Sequence, residues 1–131
     1  MAKINNEVKA LFEKQLAVIA TASKDGIPNV GPKGSMHVVD DETLAYSEGT
    51  GEKTLRNLQQ NQKVAVMVVD RDKADGYQVK GVAELLTSGD LFERVARRQE
   101  ERKRPRPHYV VMIGIEEIYS VKHGMTAKKI A

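Results

Sequence analysis

Short apolar runs separated by turn-forming residues dominate the sequence and predict a mainly β protein. Six runs have the length and β-branched content of strands: residues 16–23, 27–39, 43–47, 63–70, 77–86 and 109–121. Prolines and glycines in the first half of 27–39 predict an edge or bulged strand. The nearly continuous apolar run 63–70 predicts a strand buried on both faces, and Gly81 predicts a bulge.

In three segments the apolar residues recur at the three- to four-residue spacing of short amphipathic helices. They cover residues 7–15, residues 52–61 and a segment that begins at Asp90 and ends before Pro105. An asparagine caps the first helix, and Asp90 with Glu93 predicts a capping box for the third. The polar tail, residues 122–131, is expected to be loosely held.

The order of these elements favours one antiparallel barrel. No helix separates the first three strands, whereas a parallel doubly wound sheet needs a helix between successive strands. With 131 residues and no internal boundary, the chain is expected to form a single domain, residues 1–131.

Composition narrows the class of protein. The chain has no Cys, which excludes a disulfide framework, a thiol nucleophile and a Cys-ligated metal site. The N-terminal residues lack an apolar leader, and no apolar run reaches membrane-spanning length. The scattered histidines form no metal-binding motif, so no metal site is predicted. A cytoplasmic protein without a membrane partner is therefore expected.

The positive charge is concentrated in one segment. Residues 94–106 hold seven basic and two acidic side chains, a local charge of +5 in a chain whose total is +3. This segment is compatible with a solvated helix face, with nucleic-acid or partner binding, or with attraction of an anionic substrate or a nicotinamide dinucleotide phosphate. Nucleic acid is disfavoured because no aromatic residues interleave with the arginines.

The most informative chemistry lies at the start of the second helix. Gly49 and Gly51 allow a sharp turn, and Lys53 and Thr54 then fall in the first helical turn. A lysine there opposes the helix dipole, so a bound anion is a reasonable compensation. Backbone amides, the Lys53 ammonium and the hydroxyl of Thr50 or Thr54 predict a phosphate site. The alternative is an ordinary turn before a surface helix with a solvated lysine.

This stretch resembles a known family. From Tyr46 to Val66, with the tyrosine in the strand, Gly and Thr in the turn and the Lys53-Thr54 pair, it is similar to the phosphate-binding segment of the pyridoxamine 5′-phosphate oxidase-like FMN-binding proteins. The order of elements from residue 4 to 121 is similar as well. The resemblance implies a six-stranded antiparallel split β-barrel, Greek-key-like, with peripheral helices. It also implies a homodimer with FMN at the interface.

The same resemblance implies a set of cofactor-binding residues. Lys53 and Thr54 would hold the FMN phosphate together with the turn, and the backbone from Asn29 to Ser35 would lie along the ribityl chain and the flavin ring. Lys33 and Ser35 would donate to flavin oxygens. The full set is Asn29, Pro32, Lys33, Gly34, Ser35, Thr50, Gly51, Lys53 and Thr54. No catalytic residue is identified, and His37 is the histidine closest in sequence to this set.

The function implied is that of an FMN-dependent oxidoreductase or electron carrier with a nicotinamide or small-molecule redox partner. Pyridoxamine 5′-phosphate oxidase activity itself is not expected, because the tail 122–131 does not match the substrate-binding C-terminal segment of those oxidases. A deazaflavin- or haem-binding member of the same fold is one alternative. A nucleic-acid or partner-binding module using residues 94–106 is another.

Overall fold

The computed structural model describes residues 2–49 and 52–131, and the predicted site residues Thr50 and Gly51 lie outside these ranges. Within them the chain forms three helices, α1 (Asn6–Lys14), α2 (Lys53–Gln60) and α3 (Asp90–Glu101). The strands are β1 (Ala17–Ala22), β2 (Pro28–Lys33), β3 (His37–Asp40), β4 (Thr43–Glu48), β5 (Lys63–Asp70), β6 (Asp75–Leu86), β7 (Tyr109–Val121) and β8 (Lys128–Lys129).

The strands form one antiparallel sheet that curls but does not close. Its order is β2-β1-β5-β6-β7-β4-β3, and the short β8 pairs with β7. β2 and β3 end the path at its two sides, and no pairing between them is present in the described residues. The mainly β, antiparallel, split-barrel class predicted from the sequence is confirmed.

The strand count differs from the predicted six. Residues 27–39, expected to be one bulged strand, form β2 and β3 at opposite ends of the sheet. Pro28 and Pro32 lack an amide proton and therefore suit an edge strand, and the turn after Lys33 is closed by a 3.1 Å bond from the Met36 amide to the Lys33 carbonyl. The polar tail, residues 122–131, is exposed throughout, but its end pairs with the sheet through β8, and the Ile130 amide donates to Ile118 O at 2.9 Å.

The main core fills the concave, inner face of the sheet. Alternate residues of each strand point inward, and α1 covers them with Val8 and Phe12. The predicted Asn cap of α1 is confirmed, since Asn5 Oδ1 accepts a 3.0 Å bond from the Val8 amide. This packing fixes β4, whose inner residues Leu44 and Tyr46 belong to the core.

A second, smaller cluster holds α3 against the outer face of β4 and β7. It consists of Ala45, Phe92, Val95, Ala96 and Val110. The predicted capping box was wrong: the N-cap is Gly89, at φ +101°, and Asp90 is the first helical residue. At its other end α3 stops at Glu101, ahead of the prolines, where Lys103 takes a left-handed conformation at φ +56°. The arginines of α3 are thereby placed beside β3.

The outer face of β2, β1 and β5 is apolar and uncovered. Strand pairing places the residues of this face side by side in three rows: Pro28 beside Ala22; Val30 beside Ala20 and Ala65; and Pro32 beside Val18 and Met67. The predicted burial of β5 on both faces is not found in the single chain, since only Val64, Val66 and Val68 are buried. An antiparallel sheet that faces water normally carries polar residues on that side.

Candidate functional site

The described N-terminus of α2 has the charge and the backbone amides that an anion requires. The N-cap residue Glu52 makes no side-chain capping bond, and the first turn of α2 holds no acidic residue, whereas the first turn of α1 contains Glu7 and that of α3 contains Asp90 and Glu93. Lys53, the first residue of α2, is exposed. Backbone amides that the Glu52 side chain does not cap and a lysine at the positive end of a helix both favour a negatively charged ligand.

Thr54 connects this helix end to the edge strand β2. Its side chain is buried, with 7% exposed, and its hydroxyl oxygen accepts a 3.2 Å bond from Asn29 Nδ2. The hydroxyl proton is therefore left to donate elsewhere. A second contact, from Asn57 Nδ2 to Thr21 Oγ1 at 3.1 Å, anchors α2 on β1. The structure thus brings together Asn29, Lys53 and Thr54 from the predicted set.

The inner face of β2 leaves open space between two anchored side chains. Asn29, Gly31 and Lys33 alternate onto this face, opposite Thr21, Ile19 and Ala17 of β1. Asn29 contacts α2 and Lys33 contacts β4, but a Cβ built on Gly31 would meet no atom within 4 Å. The gap above Gly31 allows a flat group to approach the strand backbone.

Lys33 is held by a buried carboxylate. Its ammonium lies 2.9 Å from Glu48 Oε1, with side-chain exposures of 16% for Lys33 and 1% for Glu48. The same ammonium lies 5.2 Å from the centre of the Tyr46 ring. Burial raises the pKa of the Tyr46 hydroxyl, and the nearby Glu48 raises it further. That hydroxyl has no hydrogen-bond partner among the described residues.

The turn between β2 and β3 is fixed to β4. Ser35 Oγ accepts a 2.9 Å bond from the Ser47 amide, so Ser35 is engaged within the fold, as Lys33 is. A small cleft of about 260 Å³ borders this turn. It is lined by Pro32, Lys33, Gly34, Ser35, Ser47, Gly49, Gln99, Arg104, Pro105 and Arg106.

A larger, basic cleft lies on the other side of the same turn. It has a volume of about 530 Å³ and lies between the end of α1, the start of β3 and the end of α3. Its cationic side chains are Lys14, Arg98 and Arg102, together with Lys33, which is paired with Glu48; the one carboxylate in the lining is that of Glu13. Arg94 and Arg98 of α3 and Arg102 at its C-cap recur every four residues, so they lie along one side of the helix and its end. Such a volume suits a small-molecule ligand.

His37 lies in the wall of this basic cleft. Its Nδ1 is 2.8 Å from the Ser35 carbonyl oxygen, which accepts a bond only if Nδ1 carries the proton. Burial lowers the pKa of His37 below its usual 6.5, and Arg98, Arg102 and Arg94 lower it further, against the opposing effect of the Ser35 carbonyl. The neutral ring then presents Nε2 as a hydrogen-bond acceptor.

Sequence reasoning missed Glu48 and the assembled basic cleft. Glu48 follows Leu44 and Tyr46 at strand spacing, which places all three on the inner face once β4 extends to residue 48. The sequence prediction ended this strand at residue 47, so it did not assign Glu48 to the inner face. The four-residue spacing of the arginines was visible in the sequence, but the position of α3 next to His37 was not.

Within residues 2–49 and 52–131, no helix is long and apolar enough to cross a membrane. The same part of the chain contains no group of three or more His, Cys, Asp or Glu side chains that could hold a metal ion.

Comparison with known proteins identifies the family. Residues 4–122 match the family model of pyridoxamine 5′-phosphate oxidase, and the chain belongs to this family. It is 34% identical to the uncharacterized protein MJ0282 of Methanocaldococcus jannaschii, over 99% of this chain and 89% of that protein.

Solved structures share the fold. HupZ of Group A Streptococcus is 36% identical, with a TM-score of 0.88, over 94% of this chain and 98% of that chain. An FMN-binding protein from Syntrophomonas wolfei is 22% identical, with a TM-score of 0.75, over 88% of this chain and 84% of that chain. At that identity the second similarity concerns the fold alone.

Proposed function

We propose that this chain binds FMN at the N-terminus of α2 and along β2, and acts as a flavin-dependent oxidoreductase or electron carrier in the cytoplasm. The observation that carries the proposal is the start of α2, where Glu52 makes no side-chain capping bond and Lys53 and Thr54 lie next to the open gap above Gly31. Family membership and the FMN-binding protein that shares the fold also support it.

The residues present fit the cofactor. A phosphate needs several N–H donors and a cation, which the first turn of α2 and Lys53 supply. The Thr54 hydroxyl, held from one side by Asn29, adds a donor. Thr50 and Gly51 remain predicted contacts outside the described residues. When bound, FMN would supply the redox chemistry, while the chain binds it and limits access of water.

The proposed working form is a homodimer in which FMN lies at the interface. The uncovered outer face of β2, β1 and β5 adjoins the proposed ring-binding edge of β2. Val30, in the middle of that face, is 67% exposed in the single chain. A second copy of the chain would bury this apolar surface.

The basic cleft is the proposed site of an anionic redox partner, such as a small phosphorylated or carboxylated molecule. Three arginines at four-residue spacing repel one another along α3, and a bound anion relieves that repulsion. Half-burial of Arg98 in the cleft wall strengthens its interaction with such an anion. A nicotinamide dinucleotide phosphate has the required charge.

The phosphate contact is tested by Lys53→Ala. We expect FMN binding, measured by quenching of flavin fluorescence, to weaken. The loss in binding free energy should be about 1.5–3 kcal/mol, the range for a lost charge-assisted hydrogen bond. Lys63→Ala, an exposed lysine after the other end of α2, is the control and should bind like the wild type. Equal binding by wild type and Lys53→Ala would remove Lys53 from the site.

The same titration separates the related cofactors. Haem and a deazaflavin are added in parallel with FMN, each followed by its own absorbance bands. Tighter binding of either one than of FMN would favour that alternative. A wild-type protein that binds none of the three would overturn the proposed function.

The anion site is tested by Arg98→Gln with Arg97→Gln as its matched control. Arg97 lies on the same helix and is exposed, but it does not line the cleft. We expect calorimetric binding of inorganic pyrophosphate to weaken about tenfold in Arg98→Gln, or about 1.4 kcal/mol, and to change little in Arg97→Gln. The same two variants are also compared by retention on a heparin column. An equal loss of retention in both would favour the nucleic-acid alternative.

A further inference from the structure

The ion pair between Lys33 and Glu48 bridges the opening of the barrel. Lys33 ends β2 and Glu48 ends β4, which lie at opposite sides of the sheet and share no backbone pairing in the described residues. The 2.9 Å contact therefore joins two strands that the sheet itself leaves apart. The bond from the Ser47 amide to Ser35 Oγ, at 2.9 Å, runs beside it. We call the Lys33–Glu48 pair the clasp.

The clasp has little net charge although it lies at the edge of the proposed ring site. Glu48 is 1% exposed, so its carboxylate acts on Lys33 with little screening by water. Breaking such a pair by removing one partner leaves an uncompensated buried charge, whereas removing both leaves none. A flavin ring bound beside Lys33 would then face a surface with almost no net charge. We call this surface, formed by the Lys33–Glu48 pair, the wall.

Arg104 is the cation that remains beside this wall. Its guanidinium lies 3.6 Å from the position of a Cβ built on Gly34, and it lines the small cleft with Pro32 and Ser35. No ion pair of Arg104 occurs among the described residues, whereas Arg106 pairs with Glu93 at 2.6 Å. The loop that carries Arg104 is held by a 2.8 Å bond from the Arg104 amide to the Gln99 carbonyl.

We propose that the clasp holds the ring-binding end of β2 in place and keeps that wall electrostatically neutral, while Arg104 supplies the positive charge that stabilises reduced, anionic FMN. This inference rests on the proposed function, and it replaces the donation to a flavin oxygen that the family resemblance implied for Lys33. Lys33 and Glu48 are positioning residues, since they act through the shape and charge of the wall.

The electrostatic part is tested by the affinity of each variant for oxidised and for reduced FMN, and by the midpoint potential. Glu48→Gln leaves Lys33 unneutralised, so we expect the preference for reduced FMN to rise about tenfold, equivalent to about 30 mV for a two-electron couple. Arg104→Gln should lower that preference by a similar factor. Lys103→Gln, an exposed cation in the same loop that does not line the small cleft, should stay within about twofold of the wild type.

The double variant Lys33→Met/Glu48→Met is the decisive comparison, because it removes the pair without leaving a charge. We expect its preference for reduced FMN to lie within about twofold of the wild type. The apoprotein gives a second readout: the melting temperature should fall further in Lys33→Met alone than in the double variant. If Lys33→Met does not fold, Glu48→Gln and the double variant still decide the question.

The outcomes separate this inference from the function on which it rests. Failure of the wild type to bind FMN would overturn both. FMN binding with an unchanged potential in Glu48→Gln or Arg104→Gln would overturn this inference alone. The same holds if the double variant shifts as far as Glu48→Gln.

Discussion

His37 shows how one side chain reports on the electrostatics of the basic cleft. The ring is half-buried on β3 and bonded through Nδ1 to the Ser35 carbonyl at 2.8 Å. Burial is the main cause of its lowered pKa, and Arg98 and Arg102 add to the effect. The cleft therefore keeps the ring neutral where an exposed histidine would already be partly charged.

The lowered pKa of His37 predicts a loss of stability in acid. An unfolded chain protonates this ring near pH 6.5, whereas the folded chain takes the proton only at lower pH. The stabilisation is thus fully present above pH 6.5 and is lost as the pH falls through the folded pKa. We expect the melting temperature of the wild type to fall more than that of His37→Gln between pH 7 and pH 5.

The control for this comparison is His108→Gln, at an exposed position. This variant should follow the wild-type dependence on pH in a thermal-shift series. Parallel curves for wild type and His37→Gln would show that the ring titrates alike in the folded and unfolded chains.

At the scale of elements, two glycines in strands have opposite surroundings. Gly81 lies at a break in the pairing of β6 with β7, which confirms the predicted bulge. A Cβ there would lie 2.3 Å from the Gly114 carbonyl oxygen. Gly31 on β2 has no atom within 4 Å of the equivalent position. Gly81 is therefore required by packing, and Gly31 leaves the proposed ring site open.

These surroundings predict different results for substitutions at the two positions. Gly81→Ala should lower the free energy of unfolding by about 1–3 kcal/mol, because the neighbouring backbone cannot move away cheaply. Gly31→Val should leave that free energy within about 0.5 kcal/mol of the wild type, since β-branched residues suit strands. It should nevertheless weaken FMN binding at least tenfold by filling the gap.

Denaturant unfolding of the apoprotein and fluorescence titration with FMN separate the two effects. A Gly31→Val protein that is as stable as the wild type and binds FMN equally well would place the ring elsewhere. Stability unaffected by Gly81→Ala would contradict the close approach of β6 and β7.

At the scale of the whole molecule, the sheet has one covered and one uncovered outer region. α3 covers the outside of β4 and β7, but nothing in the described chain covers the outside of β2, β1 and β5. The half-exposed outer residues of β5, Ala65, Met67 and Val69, explain why a run that looked buried on both faces is buried on one in the single chain. A second copy is the proposed cover.

The dimer is tested by Val30→Glu, which places a charge in the middle of the uncovered face. We expect light scattering after size-exclusion chromatography to show a dimer for the wild type and a shift toward monomer for Val30→Glu, because a buried unpaired carboxylate is costly. Met125→Glu is the control, since Met125 is equally exposed, at 69% against 67%, but lies in the tail. A wild type that runs as a monomer at high concentration would refute the dimer.

The sequence by itself determined the elements and one end of the site. The periodicity of apolar residues located β1, β5, β7 and the three helices in the sequence, because it reflects which face each short segment buries. The Lys53-Thr54 pair was readable because its position in a helical turn depends only on neighbouring residues.

Only the tertiary structure decided the contacts between distant segments. It divided residues 27–39 between the two edges of the sheet, paired Lys33 with Glu48 and set Arg98 beside His37. Each of these contacts depends on how strands and helices that are far apart in sequence pack on one core. No local period in the chain encodes that placement, so the electrostatics of the site arise with the fold.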